Sequence, residues 1–202
     1  MTIDFAQVVS SPPSGRTTAL IIDHAAYAQQ VLLRGAPMPW LDETAYVSLL
    51  AQAEGLLKPD VTLLDTGPVL DALLAQDSSL VAAMGARTRV GYALRTLLAH
   101  EGTAERLMRV VSVVSRMSRL PLVLQVPGPV TLAARAHVLA GAGEASDVTA
   151  DHAENLSVYL ADWLRRFSSV PVSLLLLDGR RAGSQELDAE DLTACTPVLN
   201  AA

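Results

Sequence analysis

Two stretches of this chain leave an apolar run, pass through Gly-Pro-Val and enter a helical pattern: LLDTGPVLDAL at 63–73 and LQVPGPVTLAA at 124–134. Glycine permits a sharp bend directly after a strand, and proline at the first helical position loses only a donor that a helix start leaves unpaired anyway. Gly-Pro is therefore a strand-to-helix switch. A chain that uses it twice in the same setting is constrained to consecutive strand–helix units.

Four short apolar runs supply strands for such units: TTALIID (17–23), VTLLD (61–65), LVLQV (122–126) and VSLLLLD (172–178). None alternates polar with apolar, which is the pattern of parallel strands covered on both faces. Between them the period is helical. Leu107, Val110, Val111, Val114 and Met117 form one stripe in 103–117, with Thr103 as expected N-cap. Leu156, Leu160, Trp163, Leu164 and Phe167 form another in 150–167, with Asp151 and Glu154 spaced as a capping box. Residues 44–57 follow the APMPW turn as a helix, and Ser78 or Ser79 caps a helix toward His100 that is weakened at Gly85 and Gly91. The tail beyond Asp178 loses periodicity, with a short helix expected around 188–195.

Strand starts 44, 61 and 50 residues apart leave room for more than one helix per crossover. Four strands consume 178 residues, whereas a closed eight-stranded α/β barrel takes about 250. The expected fold class is α/β: parallel βα units forming a partial, half-size TIM-barrel-like arrangement or an open parallel sheet covered by helices. An N-terminal arm (1–16), a single α/β domain (17–179) and a C-terminal tail (180–202) follow from this division.

Composition narrows function mainly by exclusion. With 4% aromatic residues the core is built from Leu, Val and Ala. A net charge of -6 provides no basic field for nucleic acid. Mean hydropathy is +0.32, yet every apolar run stops well short of the roughly 20 residues that cross a membrane, and the N-terminus has no secretory pattern. A cytoplasmic protein without nucleic-acid or membrane partners is expected. The single cysteine, Cys195, has no partner for an internal disulfide, and no histidine pair or Cys–His spacing marks a metal site. Gly-x-Gly-x-x-Gly, Walker A and Gly-x-Ser-x-Gly patterns are all absent from the sequence, so no cofactor is expected.

If the strands are parallel, the residues just past their ends share one rim, where α/β folds place their sites. That rim collects Asp23 and His24, Asp65, Thr66 and Gly67, Gln125, Gly128 and Thr131, and Asp178 with Arg180 and Arg181. A carboxylate beside an imidazole performs acid–base work, and arginine holds a carboxylate bidentately. The same residues have structural readings: an aspartate ending a strand also caps the next helix, as Asp23 can for a helix starting at His24. The N–H groups of Val69, Leu70, Val130 and Thr131, at the two switches, face either an anion or water.

The segment LPLVLQVPGPVTLAARAHVLAG, then ADHAENLSVYLADWLRRF, then VPVSLLLLDG, resembles the barrel region shared by cobalamin-independent methionine synthase-like and uroporphyrinogen decarboxylase-like proteins. The likeness covers 120–179; residues 17–119 match in layout, including an aspartate, Asp65, where decarboxylase relatives tend to carry one. It implies TIM-barrel ancestry with Gln125, Gly128, Thr131 and Asp178 on the active-site side. Where methionine synthase-like proteins continue Asp-Glu-Pro, this chain reads Asp178-Gly179-Arg180, and that family's zinc ligands lie further along a barrel.

The resulting expectation is a metal-independent decarboxylase or lyase acting on a carboxylated small molecule. Asp65, His24 and Asp178 carry the chemistry, and Gln125, Gly128, Thr131, Arg180 and Gly67 hold substrate, with Arg34 as another candidate anion holder. Three alternatives stand beside it: a non-catalytic subunit that completes or stabilises a full-length barrel partner, zinc-dependent methyl transfer with ligands from a partner, and a compact open α/β binding domain that performs no chemistry. Either way the unfinished sheet edge calls for a homo-oligomer or a heteromeric partner.

Overall fold

A computed structural model describes residues 5–180 and 192–201. Three strands, β1 (Thr62–Asp65), β2 (Leu122–Pro127) and β3 (Val172–Asp178), form an open parallel sheet in the order β1-β2-β3. The register pairs Thr62 with Leu122 and Asp65 with Gln125. Every residue of β2 is buried, as a central strand without alternation requires, while β3 is only half-buried along its length.

The helices are α1 (Phe5–Ser10), α2 (His24–Tyr27), α3 (Glu43–Leu57), α4 (Thr66–Gln76), α5 (Ser78–Met84), α6 (Tyr92–Ala99), α7 (Glu101–Met117), α8 (Pro129–Leu139), α9 (Ala153–Leu164) and α10 (Thr196–Leu199). α8 starts as the switch predicts, with Gly128 as N-cap and Pro129 in the first turn. α4 starts two residues before Pro68, at Thr66, directly after β1. Pro68 there occupies a first-turn position, where a missing N–H removes no helical bond.

The fourth predicted strand is absent. Residues 17–23 are extended or bent but pair with no strand. One buried carboxylate anchors the run at Leu20 and the chain before it at Ser14. Asp60, fully buried, accepts the N–H of Ser14 (2.7 Å) and of Leu20 (2.8 Å), and its own N–H donates to the Leu20 carbonyl (2.9 Å). A side chain has taken the place of a ladder, so the run folds as an anchored loop. Burial pushes the Asp60 carboxyl up, but the N–H groups of Leu20 and Ser14, the Ser14 hydroxyl and Arg16 outweigh it and hold the group below the usual carboxylate range.

Other boundaries shift for local reasons. α7 begins at Glu101, so Thr103 lies inside the helix, and the His100 ring accepts the Thr103 N–H through Nδ1 at 3.2 Å. α5 is capped by Asp77, which accepts the Leu80 N–H, not by Ser78 or Ser79. The expected weakness in 78–100 is a full break: α5 ends at Met84, and Gly91 adopts φ +85° ahead of α6. At the start of 150–167 the capping box is made by Thr149 and His152, around a 3-10 turn that precedes α9. Met117, placed on the core stripe of α7, is exposed, whereas its stripe partners from Leu107 to Val114 are buried. Of the expected tail helix, 188–191 lie outside the described residues; a 3-10 turn at Leu192–Cys195 leads into α10.

The chain divides into two compact units. The first comprises Met1–Val69, Arg109–Gln125 and Ser169–Leu176, and the second Leu70–Met108, Val126–Ser168 and Leu177–Ala202. In the first, Val8, Val61, Leu63 and Val123 form a core against which Phe5, Ala19 and Leu174 pack. The second is built on helices: α6, α8 and α9 pack on one another, α5 joins α6, and α10 joins α9. The predicted α9 stripe is buried there in full, with Trp163 and Phe167 in an edge-to-face pair 4.9 Å apart. Among the described residues no helix is long and apolar enough to cross a membrane.

Candidate functional site

The predicted site residues fall into two groups, one in each unit. His24, Asp65, Gly67 and Gln125 belong to the first. Parallel register sets Asp65 beside Gln125, and Gln125 Nε2 donates to Asp65 Oδ2 at 3.2 Å. The other carboxylate oxygen accepts the Gly67 N–H at 2.9 Å, which ties the end of β1 to the first turn of α4. Thr66 donates its hydroxyl to the Gln125 carbonyl at 3.0 Å.

His24 is fully buried at the start of α2, whose N-cap is Asp23, accepting the Ala26 N–H at 2.9 Å. Asp23 thus serves as the cap that the sequence allows. The His24 Nδ1 contacts the Ile22 carbonyl at 3.2 Å, while Nε2, 3.8 Å from Glu54, has no hydrogen-bond partner among the described residues. Desolvation lowers the His24 pKa against the pull of Glu54, the Ile22 carbonyl and Asp23, so the ring is neutral at pH 7. Close by in the same unit, the Tyr46 hydroxyl is buried without a partner among the described residues. Burial first, then Asp23 and Asp65, keep it protonated far above its ordinary range. Neither His24 nor Tyr46 exposes surface to solvent.

Gly128, Thr131, Asp178 and Arg180 belong to the second unit. The Gly128 N–H donates to the Asp178 carbonyl at 2.7 Å, and the Thr131 hydroxyl donates to the Gly179 carbonyl at 3.3 Å, so the start of α8 is fastened to the end of β3. Arg180 grips the Asp178 carboxylate through Nε (2.8 Å), Nη2 and its own backbone N–H (3.0 Å). The side-chain bonds from Arg180, opposed by desolvation and aided by that N–H and the charges of Arg180 and Arg135, hold Asp178 below the usual carboxylate range. It is an ionised acceptor at neutral pH. Arg181, on the expected rim, lies outside the described residues.

Thr131 also lines a cavity of about 490 Å³ that sequence reasoning did not find. Its walls come from α4 (Leu70, Leu74), α6 (Leu97) and α8 (Leu132, Val138, Leu139), so the two Gly-Pro helices face the same space. Its charged groups are Asp71 and Arg135, joined as an ion pair. Desolvation pushes the Asp71 carboxyl above its ordinary value although Arg135 opposes the shift. Mostly apolar walls with a few convergent polar groups, at this volume, are the usual makeup of a small-molecule site. The sequence signal for it was faint: Asp71 is the one Asp, Glu, Lys or Arg of α4 and Arg135 the one of α8, and they are separated by 64 positions.

Among the described residues no three His, Cys, Asp or Glu side chains are gathered as a metal site. Fold and cavity together define an α/β protein with a three-stranded parallel sheet and a partly open apolar cavity in its helical unit. No protein-family model, curated protein or solved structure matches the chain.

Proposed function

We propose that this chain is a small-molecule enzyme, or the subunit of one, acting on a substrate with an apolar body and a carboxylate. The chemistry is of the metal-independent lyase or decarboxylase type, as in the uroporphyrinogen decarboxylase-like proteins it resembles. The observation that carries this reading is the 490 Å³ leucine-walled cavity with Thr131, Asp71 and Arg135 on its lining. The apolar body fills the space among Leu70, Leu74, Leu97 and Leu132. Arg135 receives the anionic group in exchange for Asp71.

A carboxylate moved from water into such surroundings loses hydration, and cleavage of its C–C bond to give CO2 disperses the charge. The bonding pair passes to the product carbon and into a conjugated π system of the substrate itself, and that carbon then takes a proton. Asp71 is the carboxyl group on the lining, and in this scheme it relays that proton from solvent. Asp178, ionised and gripped by Arg180, acts in this scheme on charge and orientation near Arg135.

The test is binding of a panel of aromatic and medium-chain carboxylic acids, followed by thermal melting and by release of labelled CO2. A ligand present at a hundred times its Kd stabilises by about 2.7 kcal/mol, or roughly 5–10 °C in a chain of this size. Leu97→Trp, which fills the cavity, and Arg135→Met should each abolish the shift. No shift with any acid, or an equal shift in the Leu97→Trp protein, would remove the reading.

One observation favours the subunit reading as well. β3 ends the sheet order and is rich in leucine, yet it is half-buried, with Leu176 39% exposed. A strand edge of that kind invites pairing with another chain. Light scattering at micromolar concentration should give a mass above the 21.3 kDa of one chain, and a single species at that mass would exclude it.

A further inference from the structure

The helical unit carries a second concavity whose lining is of the opposite character. It has a volume of about 650 Å³ and is lined by Arg87, Arg89 and Arg95, with Tyr92, Tyr159 and His152 among the remaining groups. No acidic side chain is on the lining, and none of the three arginines has an ion pair or side-chain hydrogen bond among the described residues. All three are exposed. On a chain of net charge -6, three guanidinium groups around one hollow oppose the general field, and no acidic side chain on the described lining offsets their mutual repulsion. The geometry points to an anion as the missing counterweight.

The neighbouring groups narrow the class of anion. Arg87 lies over the Tyr92 ring, 5.3 Å from its centroid, so one cation is already oriented by an aromatic face. Tyr159 is on the lining too, which gives the hollow two rings against which a planar group can lie. His152 accepts the Thr149 N–H through Nδ1 at 3.2 Å, so in its neutral form the ring carries its proton on Nε2 and is a further donor. Gly91 allows the chain to turn here: a Cβ at this position would stand 3.2 Å from a Leu156 methyl group, and the residue lies in the left-handed region.

Three forked cations exceed the single charge of a carboxylate and match the three oxygens and near-double charge of a phosphate monoester. We propose that this hollow binds the phosphate of a small phosphorylated molecule, with a planar portion against Tyr92 or Tyr159. A nucleic acid is the less suitable polyanion, because a chain of net charge -6 would repel its remaining phosphates. The hollow is separate from the leucine-walled cavity, so the two proposals stand or fall independently.

The experiment is titration calorimetry on the full chain at low salt, with phenyl phosphate, benzoate and a single-stranded RNA decamer as probes. Phenyl phosphate should bind saturably, and Arg89→Gln and Arg95→Gln should each weaken it at least about tenfold. Arg119→Gln, an exposed arginine of the other unit with no partner among the described residues, should leave it unchanged. The substituted side chains are on the surface, and matching thermal melts establish that each variant is folded. Absence of saturable phenyl phosphate binding, equal weakening by Arg119→Gln, benzoate binding as tightly, or tighter binding of the RNA would each overturn the proposal. Leu97→Trp should not affect phenyl phosphate binding.

Discussion

Asp60→Asn removes one negative charge from a fully buried side chain. The wild-type carboxylate accepts two backbone N–H groups, from Ser14 at 2.7 Å and Leu20 at 2.8 Å, and Arg16 approaches to 3.7 Å. The amide keeps one oxygen, so one of the two N–H donors comes to face an NH2 group. Loss of a charge-assisted bond costs about 1.5–3 kcal/mol, and the stranded donor adds its own desolvation penalty. The Arg16 pair adds little, since that side chain is 41% exposed. A total of about 3 kcal/mol follows, equivalent to roughly 6–12 °C in the midpoint of a chain this long.

Urea denaturation at pH 7 measures the loss, and hydrogen exchange at the Ser14 and Leu20 amides locates it. The pH dependence supplies a second check. A carboxyl held below its unfolded pKa contributes fully above that unfolded value and loses its contribution as pH falls through the folded one. The difference between wild type and variant should therefore be constant from about pH 7 to 5 and close below about pH 4. A difference under about 0.5 kcal/mol at pH 7, or one that persists unchanged at pH 3, would refute the account of Asp60 as the anchor of residues 14–20.

Gly85→Ala should destabilise the helical unit by about 1–3 kcal/mol in a chemical melt, because the added Cβ would lie 2.4 Å from the Ala140 carbonyl oxygen and backbone must move; an unchanged midpoint would mean that the end of α8 gives way freely. His24 has a folded pKa below its unfolded value near 6.5, so the stability it contributes is whole above that pH and is lost as pH falls toward the folded value. Between pH 7 and 5 the wild type should lose more stability than His24→Gln, by at most about 1.4 kcal/mol per pH unit, and parallel curves would assign the titration elsewhere.

Three of the four apolar runs were legible as strands because a buried parallel strand leaves a local signature, an unbroken apolar stretch followed by a switch. The run at 17–23 has the same local composition, and what separates it is a carboxylate some 40 residues away in sequence. Helix existence was legible from the stripes at 107–114 and 156–167, whereas helix starts were set by side chains one to three residues before the expected cap, as at Asp77 and His100. The pairing of Asp65 with Gln125 follows from register, and the sequence showed both at strand ends. The leucine-walled cavity was hidden for a physical reason: its lining is the same apolar face that any buried helix presents, and only three-dimensional packing reveals where that face is left unfilled.

Asp65 closes β1 and Thr66 opens α4, with no residue between them. A single inserted amino acid at this seam would swing the following helix by about 100° about its axis, carrying Leu70, Asp71 and Leu74 off the wall they share. Tolerance of length change in this protein is therefore uneven. Descendants can lengthen the turns between helices, but the join at 65–66 must be inherited to the residue for the cavity to persist.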